Sequence, residues 1–311
     1  MEYLSLKNSD LHVSRICMGG CPLGGYGWGD TQEKELIDAV KAAIEYGINF
    51  FDTADTYGLG QSEITLGKAL GSKKNDVIIA SKFGVRVENG KTFYDNSPEW
   101  IEKALDSSLM RLGTDCIDLY QVHYRDKVTS LTAIVETLEK MKKAGKIRYY
   151  GLSNIYREDT EELKEHIGKF VSFQNEYSLA CRKNEDDMKN ISKEFQMTPL
   201  TWGSLGQGIF TGKYDENSSF DSNDRRSRDI YVNFHGDKLI KNLAIVEEMK
   251  KIAIKHSKPI SAIAIRFILD YLSDSVVLCG AKRRSQIVDN VSACDWQLDD
   301  EEISLLDMIS R

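Results

Sequence analysis

The sequence predicts a parallel β/α barrel closed by eight strands. Apolar runs of strand length alternate with segments of helical period along 311 residues, and no linker rich in proline, glycine or serine divides them. Eight such strand runs repeat, which is the number that closes a barrel, and the length suits a fold of typically about 250 residues plus insertions. One domain over residues 1–311 is therefore expected. The competing open, doubly wound sheet lacks its phosphate turn: the early glycine cluster GGCPLGGYGWG is not a GxGxxG that opens a helix directly after a strand.

A hairpin comes first, from Tyr3 to Leu6 and His12 to Val13 across Lys7-Asn8-Ser9-Asp10. The barrel strands are then expected at Ile16 to Gly19, Asn49 to Asp52, Val77 to Ser81, Ile117 to Val122, Tyr149 to Leu152, Phe173 to Asn175, Thr198 to Trp202 and Val276 to Leu278. Between them, Lys34 to Tyr46 sets Leu36, Ile37, Val40, Ala43 and Ile44 on one helical face, and Leu131 to Met141 does so with Ile134, Val135, Leu138 and Met141. Ser97-Pro98-Glu99 marks a helix start, with serine as the cap and proline in the first turn. Gly47, Gly113 and Gly145 each follow a helical segment, where a left-handed residue ends the helix readily. Helical patterns beyond the repeat, the last from Asp299 to Ile309, add extra C-terminal helices.

Composition narrows the function. A hydrophobic share of 41% with a charged share of 29% describes a globular chain, and the net charge of −7 repels phosphate backbones, so no nucleic-acid partner is expected. No run approaches the roughly 18 apolar residues of a membrane span, and the opening MEYLSLKNSD has neither a basic region nor an apolar stretch for export. A cytoplasmic protein without a membrane partner is expected, as a monomer or small homo-oligomer. The six cysteines, Cys17, Cys21, Cys116, Cys181, Cys279 and Cys294, are scattered in apolar segments and read as reduced core residues, with no metal site.

Four polar side chains stand where successive strand patterns give out: Asp52 and Tyr57 in FFDTADTY, Lys82 in VIIASKFG and His123 in IDLYQVHY. Barrel ligands sit at the C-terminal strand ends, so these four should share a cavity. A tyrosine hydroxyl has a reference pKa of about 10, too high for efficient proton exchange near neutrality. A lysine ammonium beside it should lower that value, and the carboxylate should hold the lysine charged and oriented. Tyr57 then donates a proton to a developing alkoxide while His123 bonds the carbonyl oxygen. Each residue alone reads as readily as an ion pair or a satisfied core group, and it is the set at successive strands that points to carbonyl reduction.

At this point the chain resembles the aldo-keto reductase superfamily, from the opening hairpin to almost the last helix. The likeness runs through INFFDTADTYG, SKFG, LYQVHY, GKIRYYGLSN, FQNEYS, WGSLGQGIFTGKY and GAKRRSQIVDN. It implies a (β/α)8 TIM barrel that binds a nicotinamide cofactor across the strand ends and reduces a small-molecule carbonyl substrate. It makes Asp52, Tyr57, Lys82 and His123 the catalytic tetrad, with Tyr57 as general acid. It also implies the cofactor contacts: Ser153, Asn154 and Gln174 at the nicotinamide carboxamide, Trp202 against the ring, and Leu205, Gln207 and Gly208 around the pyrophosphate. Lys282, Arg283 and Arg284 gather beyond the eighth strand, where a 2′-phosphate would be paired, so NADPH is expected over NADH. Ser285, Gln286 and Asn290 complete the adenosine end.

The sequence departs from the family at three places. Trp202 is larger than the usual tyrosine or phenylalanine, Gly203-Ser204 stands for a common Ser-Pro, and Cys279 replaces the usual proline before Gly280. Substrate choice falls to the loops Cys21 to Asp30, Gly84 to Asn96, Tyr124 to Val128 and Asp215 to Gly236. In the last, Arg225, Arg226 and Arg228 suggest a phosphorylated or nucleotide-linked carbonyl compound, against the plainer reading of a charged surface loop. Two alternative roles are a dedicated biosynthetic ketoreductase and a redox-sensing subunit of a potassium channel.

Overall fold

A computed structural model describes the whole chain, Met1–Arg311. Strands β1 (Tyr3–Ser5) and β2 (His12–Ser14) form the expected antiparallel hairpin. Next come β3 (Ile16–Gly19), β4 (Phe50–Asp52) and β5 (Ile78–Phe83), then a second hairpin of β6 (Val85–Glu88) and β7 (Lys91–Tyr94). After it follow β8 (Ile117–Val122), β9 (Ile147–Ser153), β10 (Ser172–Glu176), β11 (Thr198–Trp202) and β12 (Val276–Gly280). All but the two hairpins pair in parallel and close on themselves, β12 meeting β3 with Val277 opposite Ile16 and Gly280 opposite Gly19.

The helices are α1 (Glu33–Glu45), α2 (Gln61–Leu70), α3 (Pro98–Leu112), α4 (Leu131–Lys143), α5 (Thr160–Leu163), α6 (Glu185–Glu194), α7 (Gly236–His256), α8 (Ile260–Tyr271), α9 (Arg284–Val291) and α10 (Asp300–Ser310). The Ser97 hydroxyl accepts from the Trp100 amide at the start of α3, and Gly113 at φ 65° ends that helix. No helix is long and apolar enough to cross a membrane.

The structure differs from the sequence reading at two elements. The hairpin β6–β7 lies in what read as the loop Gly84 to Asn96. Its signal was present in VRVENGKTFY: Asn89 and Gly90 adopt φ of 51° and 74°, as a tight hairpin turn requires. After β9 no regular helix follows, only α5 between short turns, because YREDTEELKEHIGK has no apolar stripe and buries only Leu163 from α5.

Strand periodicity builds the site. Cys17, Phe50, Ala80, Leu119 and Leu200 point inward and form one apolar cluster with Leu6, Leu11 and Val13 of the first hairpin, which thus plugs the N-terminal mouth. Their strand neighbours Met18, Phe51, Ile79 and Tyr120 point outward into the layer shared with the helices. Two residues further along the inward parity of β4, β5 and β8 stand Asp52, Lys82 and Gln121. The barrel interior therefore changes from hydrocarbon to a polar layer at its C-terminal end.

The loop after β4 is held tightly. Ser62 Oγ donates to the Gly20 carbonyl at 2.7 Å, and the Ser62 amide donates to the Tyr57 carbonyl at 3.1 Å. Gly58, at φ 61°, packs so closely on Gly24 that a Cβ there would lie 2.2 Å from the Gly24 oxygen. Behind the loop lies a buried polar cluster. Glu63 accepts from Ser81 Oγ at 2.5 Å and from Arg111 Nε at 2.6 Å. Asp55 Oδ1 is shut off from solvent with no partner, and burial, with the Glu63 charge, pushes its carboxyl from 3.8 up to about 8.

Two outcomes follow for this loop. Gly58→Ala must adopt an unfavourable φ and push the Gly24 backbone away, so urea unfolding should show a loss of roughly 2–5 kcal/mol. The folded Asp55 carboxyl holds its proton more tightly than the unfolded one. The penalty for ionising it is absent at low pH, grows by up to about 1.4 kcal/mol per unit as pH rises from about 4 to about 8, and then levels off. Asp55→Asn should therefore gain stability on the wild type between about pH 5 and about pH 8; parallel pH curves would rule out the buried ionisation.

Candidate active site

The polar layer converges on one ion pair. Lys82 is 0% exposed and Asp52 2%, and the Lys82 ammonium donates to Asp52 Oδ1 and, at 3.1 Å, to the Thr53 carbonyl. Moving two charges out of water is costly unless their remaining valences are met. Here they are: the side-chain amides of Gln121 and Gln174 donate to Asp52 Oδ2 at 2.9 and 3.0 Å. The third hydrogen of Lys82 points at the Tyr57 hydroxyl oxygen, 3.4 Å away. His123 completes the group, its ring edge-on to Tyr57 with centroids 5.7 Å apart and stacked on Tyr124 at 5.1 Å. The four residues read from strand ends thus meet in space: Asp52, Tyr57 and His123 line one cavity, and Lys82 is buried directly behind Asp52 and Tyr57.

The electrostatics differ from the expectation in one respect. The Tyr57 phenol is raised well above its ordinary value, chiefly by burial and then by Asp52, and is not lowered by its neighbour Lys82. The ammonium's field at Tyr57 is largely cancelled by the carboxylate bound to it, and desolvation of a phenolate then dominates. Tyr57 is accordingly held as a neutral O–H, the state a proton donor needs. Burial and the Lys82 charge push His123 well below the ordinary histidine range, so it is a neutral imidazole near pH 7. Its Nδ1 is buried without a partner.

The cavity has a volume of about 1280 Å³, beyond the roughly 300–1,000 Å³ of a site for one drug-sized ligand, and extends from Tyr57 past Trp202 to Asn290. Ser153, Asn154, Gln174, Trp202, Leu205, Gln207 and Gly208 all line it. Asn154, at φ 54°, donates to the His123 carbonyl at 3.0 Å, and Ser153 Oγ donates to the Gln174 carbonyl at 3.3 Å. Trp202 Nε1 is buried and unpartnered. Gln207 and Gly208, at φ 55° and 107°, turn the backbone sharply beneath the cavity, and Gln207 is braced by Glu176 at 3.2 Å and by Asn233. The Gln174 side-chain NH2 donates to Asp52, and Gln121, which carried no site expectation from the sequence, donates to the same carboxylate oxygen. Gln121 stands two residues before His123, on the same strand face, which is the signal that marks it.

At the far end the basic trio divides. Lys282 and Arg283 line the cavity with Gln286 and Asn290, whereas Arg284 turns outward and pairs with Asp38 at 2.9 Å and Glu45 at 2.5 Å on α1. Lys282 donates to the Trp28 carbonyl at 2.6 Å and so bridges the loop after β3 across the cavity; Arg283 has only a 3.4 Å contact with Glu35. Gln286 accepts from the Lys282 amide at 2.8 Å, capping α9, and Asn290 is buried. A cavity with an aromatic face, amide groups and hydroxyls near Tyr57, a left-handed glycine turn and cations at its far end fits a dinucleotide.

Comparison with known proteins agrees with this geometry. The Aldo/keto reductase family model matches residues 15–311. Among curated relatives, the aldo-keto reductase YhdN of Bacillus subtilis is 33% identical over 305 residues, which cover 97% of this chain and 91% of that protein. An NADH-specific methylglyoxal reductase of Escherichia coli is 27% identical over 324 residues, 98% of this chain and 97% of that one. Among solved structures, a glycerol dehydrogenase from Gluconobacter oxydans superposes with a TM-score of 0.89 at 32% identity, over 99% of this chain and 94% of that one. With a tyrosine, lysine, aspartate and histidine at the C-terminal mouth of a closed eight-stranded barrel, and a family model matched over nearly its whole length, the chain belongs to the aldo/keto reductase family of oxidoreductases.

Proposed function

We propose that the protein reduces an aldehyde or ketone to an alcohol with NADPH, with Tyr57 as the proton donor. The observation that carries this reading is the neutral Tyr57 hydroxyl set 3.4 Å from a buried, carboxylate-paired ammonium. When bound, the reduced nicotinamide supplies the hydride. Trp202 would offer a ring face for the nicotinamide, and Ser153, Asn154 and Gln174 would hold its carboxamide. The turn from Leu205 to Gly208 would let backbone approach the pyrophosphate, and Gln286 and Asn290 would hold the adenosine end.

Tyr57 passes its proton to the carbonyl oxygen as negative charge develops there, and the phenolate left behind faces Lys82. The ammonium stabilises that charge at the moment it forms, while Asp52, held by Gln121 and Gln174, keeps the ammonium aimed. As a neutral imidazole, His123 can donate an N–H to the same oxygen without introducing a charge of its own. The reverse oxidation of an alcohol uses the same groups in the opposite sense. Preference for NADPH rests on Lys282, which faces the cavity without a salt bridge, and Arg283, whose one carboxylate contact is Glu35 at 3.4 Å; Arg284 supports α1 instead.

Tyr57→Phe should lower kcat by about 10²- to 10⁴-fold while the NADPH dissociation constant, read by protein fluorescence, stays close to the wild-type value. A matching loss of cofactor affinity would make Tyr57 a structural residue. Lys282→Ala combined with Arg283→Ala should weaken NADPH by about ten- to hundredfold and leave NADH much less affected, as charge-assisted bonds to a 2′-phosphate require. Equal weakening of both cofactors would remove the case for that phosphate site.

A further inference from the structure

We propose that Arg225 selects the substrate by pairing with an anionic group, a carboxylate or a phosphate, on the carbonyl compound. The inference rests on the reading of Tyr57 given above and adds a substrate class to it. The three arginines of the loop Asp215 to Gly236 have different fates. Arg226 is paired with Asp224 at 2.5 Å, bonds the Tyr214 hydroxyl, and lies over the Phe220 ring at 4.4 Å. Its Nη1 is 3.6 Å from where a Cβ on Gly208 would stand, so it braces the turn assigned to the pyrophosphate. Arg228 is exposed and reaches the Tyr26 hydroxyl at 3.2 Å.

Arg225 faces the other way. It lines the cavity that holds Tyr57 and His123, is half-buried, and pairs with no carboxylate. Its position is fixed: the backbone amide donates to the Gly27 carbonyl at 3.1 Å, the guanidinium lies 5.2 Å from the Tyr26 ring centroid, and Nε is 2.5 Å from where a Cβ on Gly27 would stand. Its charge is felt at the catalytic end, where it opposes the rise of both the Tyr57 phenol and the Cys21 thiol. A cation held partly out of water without a counterion is costly, and an anionic ligand relieves that cost. The guanidinium fork matches the two oxygens of a carboxylate or phosphate. Trp28 and Tyr231, edge to face at 6.0 Å, supply an aromatic wall for the carbon skeleton between the anion and the carbonyl.

The test compares kcat/KM for matched pairs, 4-oxobutanoate against butanal and glyceraldehyde 3-phosphate against glyceraldehyde, in wild type, Arg225→Met and Arg225→Lys. The wild type should favour the anionic member of at least one pair, and which pair does so separates carboxylate from phosphate. Arg225→Met should lower that anionic-to-neutral ratio by about ten- to hundredfold, with partial recovery in Arg225→Lys. A ratio that Arg225→Met leaves unchanged, or a weakened NADPH dissociation constant in its place, would overturn the proposal and make Arg225 a loop or cofactor residue. A second measurement needs no turnover: calorimetric titration of the NADP⁺-saturated protein with succinate, succinamide and inorganic phosphate. Tighter binding of one of the anions than of succinamide, lost in Arg225→Met, supports the anion site even if Tyr57 does not act as supposed. Equal binding of all three overturns it.

Discussion

The site depends on one ion pair kept almost entirely out of water. Lys82 and Asp52 would be an expensive pair to bury in an apolar barrel, and the fold meets that cost with a layer of neutral amides and one backbone carbonyl. The arrangement follows from strand parity. On β4, β5 and β8 the inward position below the pair is apolar, the next inward position is polar, and the change occurs within a two-residue step. The first hairpin closes the opposite mouth, so the polar layer opens to solvent only through the cavity.

The pair also decides what its neighbours do. Burial and the Asp52 charge keep the Tyr57 phenol protonated at rest, while burial and the Lys82 charge keep His123 neutral. In the proposed reaction, negative charge formed on the Tyr57 oxygen would meet the ammonium directly. The environment is thus poor for a resting phenolate and supportive of one formed during transfer, which is the asymmetry a proton donor needs. The tight seat of Gly58 on Gly24 and the Ser62 bond to Gly20 hold the tyrosine loop against the segment that follows β3, which fixes the place of Tyr57 beside the pair.

Charge at the cavity rim is distributed by partner and not by count. Six cationic side chains of the two late segments, Arg225, Arg226, Arg228, Lys282, Arg283 and Arg284, look interchangeable as letters. In space Arg226 and Arg284 are committed to carboxylates, Arg228 lies outside, and Lys282 ties the loop after β3 across the cavity. Arg225 and Arg283 retain most of their capacity for a ligand, one beside the catalytic end and one at the far end.

Much of this was legible in the sequence, because the barrel is written in local patterns. Alternation of period two and period 3.6 located the strands and most helices, and the end of a strand pattern located Asp52, Lys82 and His123. Even the hairpin β6–β7 and Gln121 left local signals, in Asn89-Gly90 and in strand parity. What the sequence by itself determined is therefore the order of elements, the polar residues at their ends and the motifs that mark the family. The tertiary structure alone decided which of those residues meet, that Gln174 and Gln121 share one carboxylate oxygen, that Tyr57 is raised instead of lowered, and which arginines are free. Those outcomes depend on burial and on through-space partners tens of residues apart in the chain, and neither quantity is carried by local periodicity.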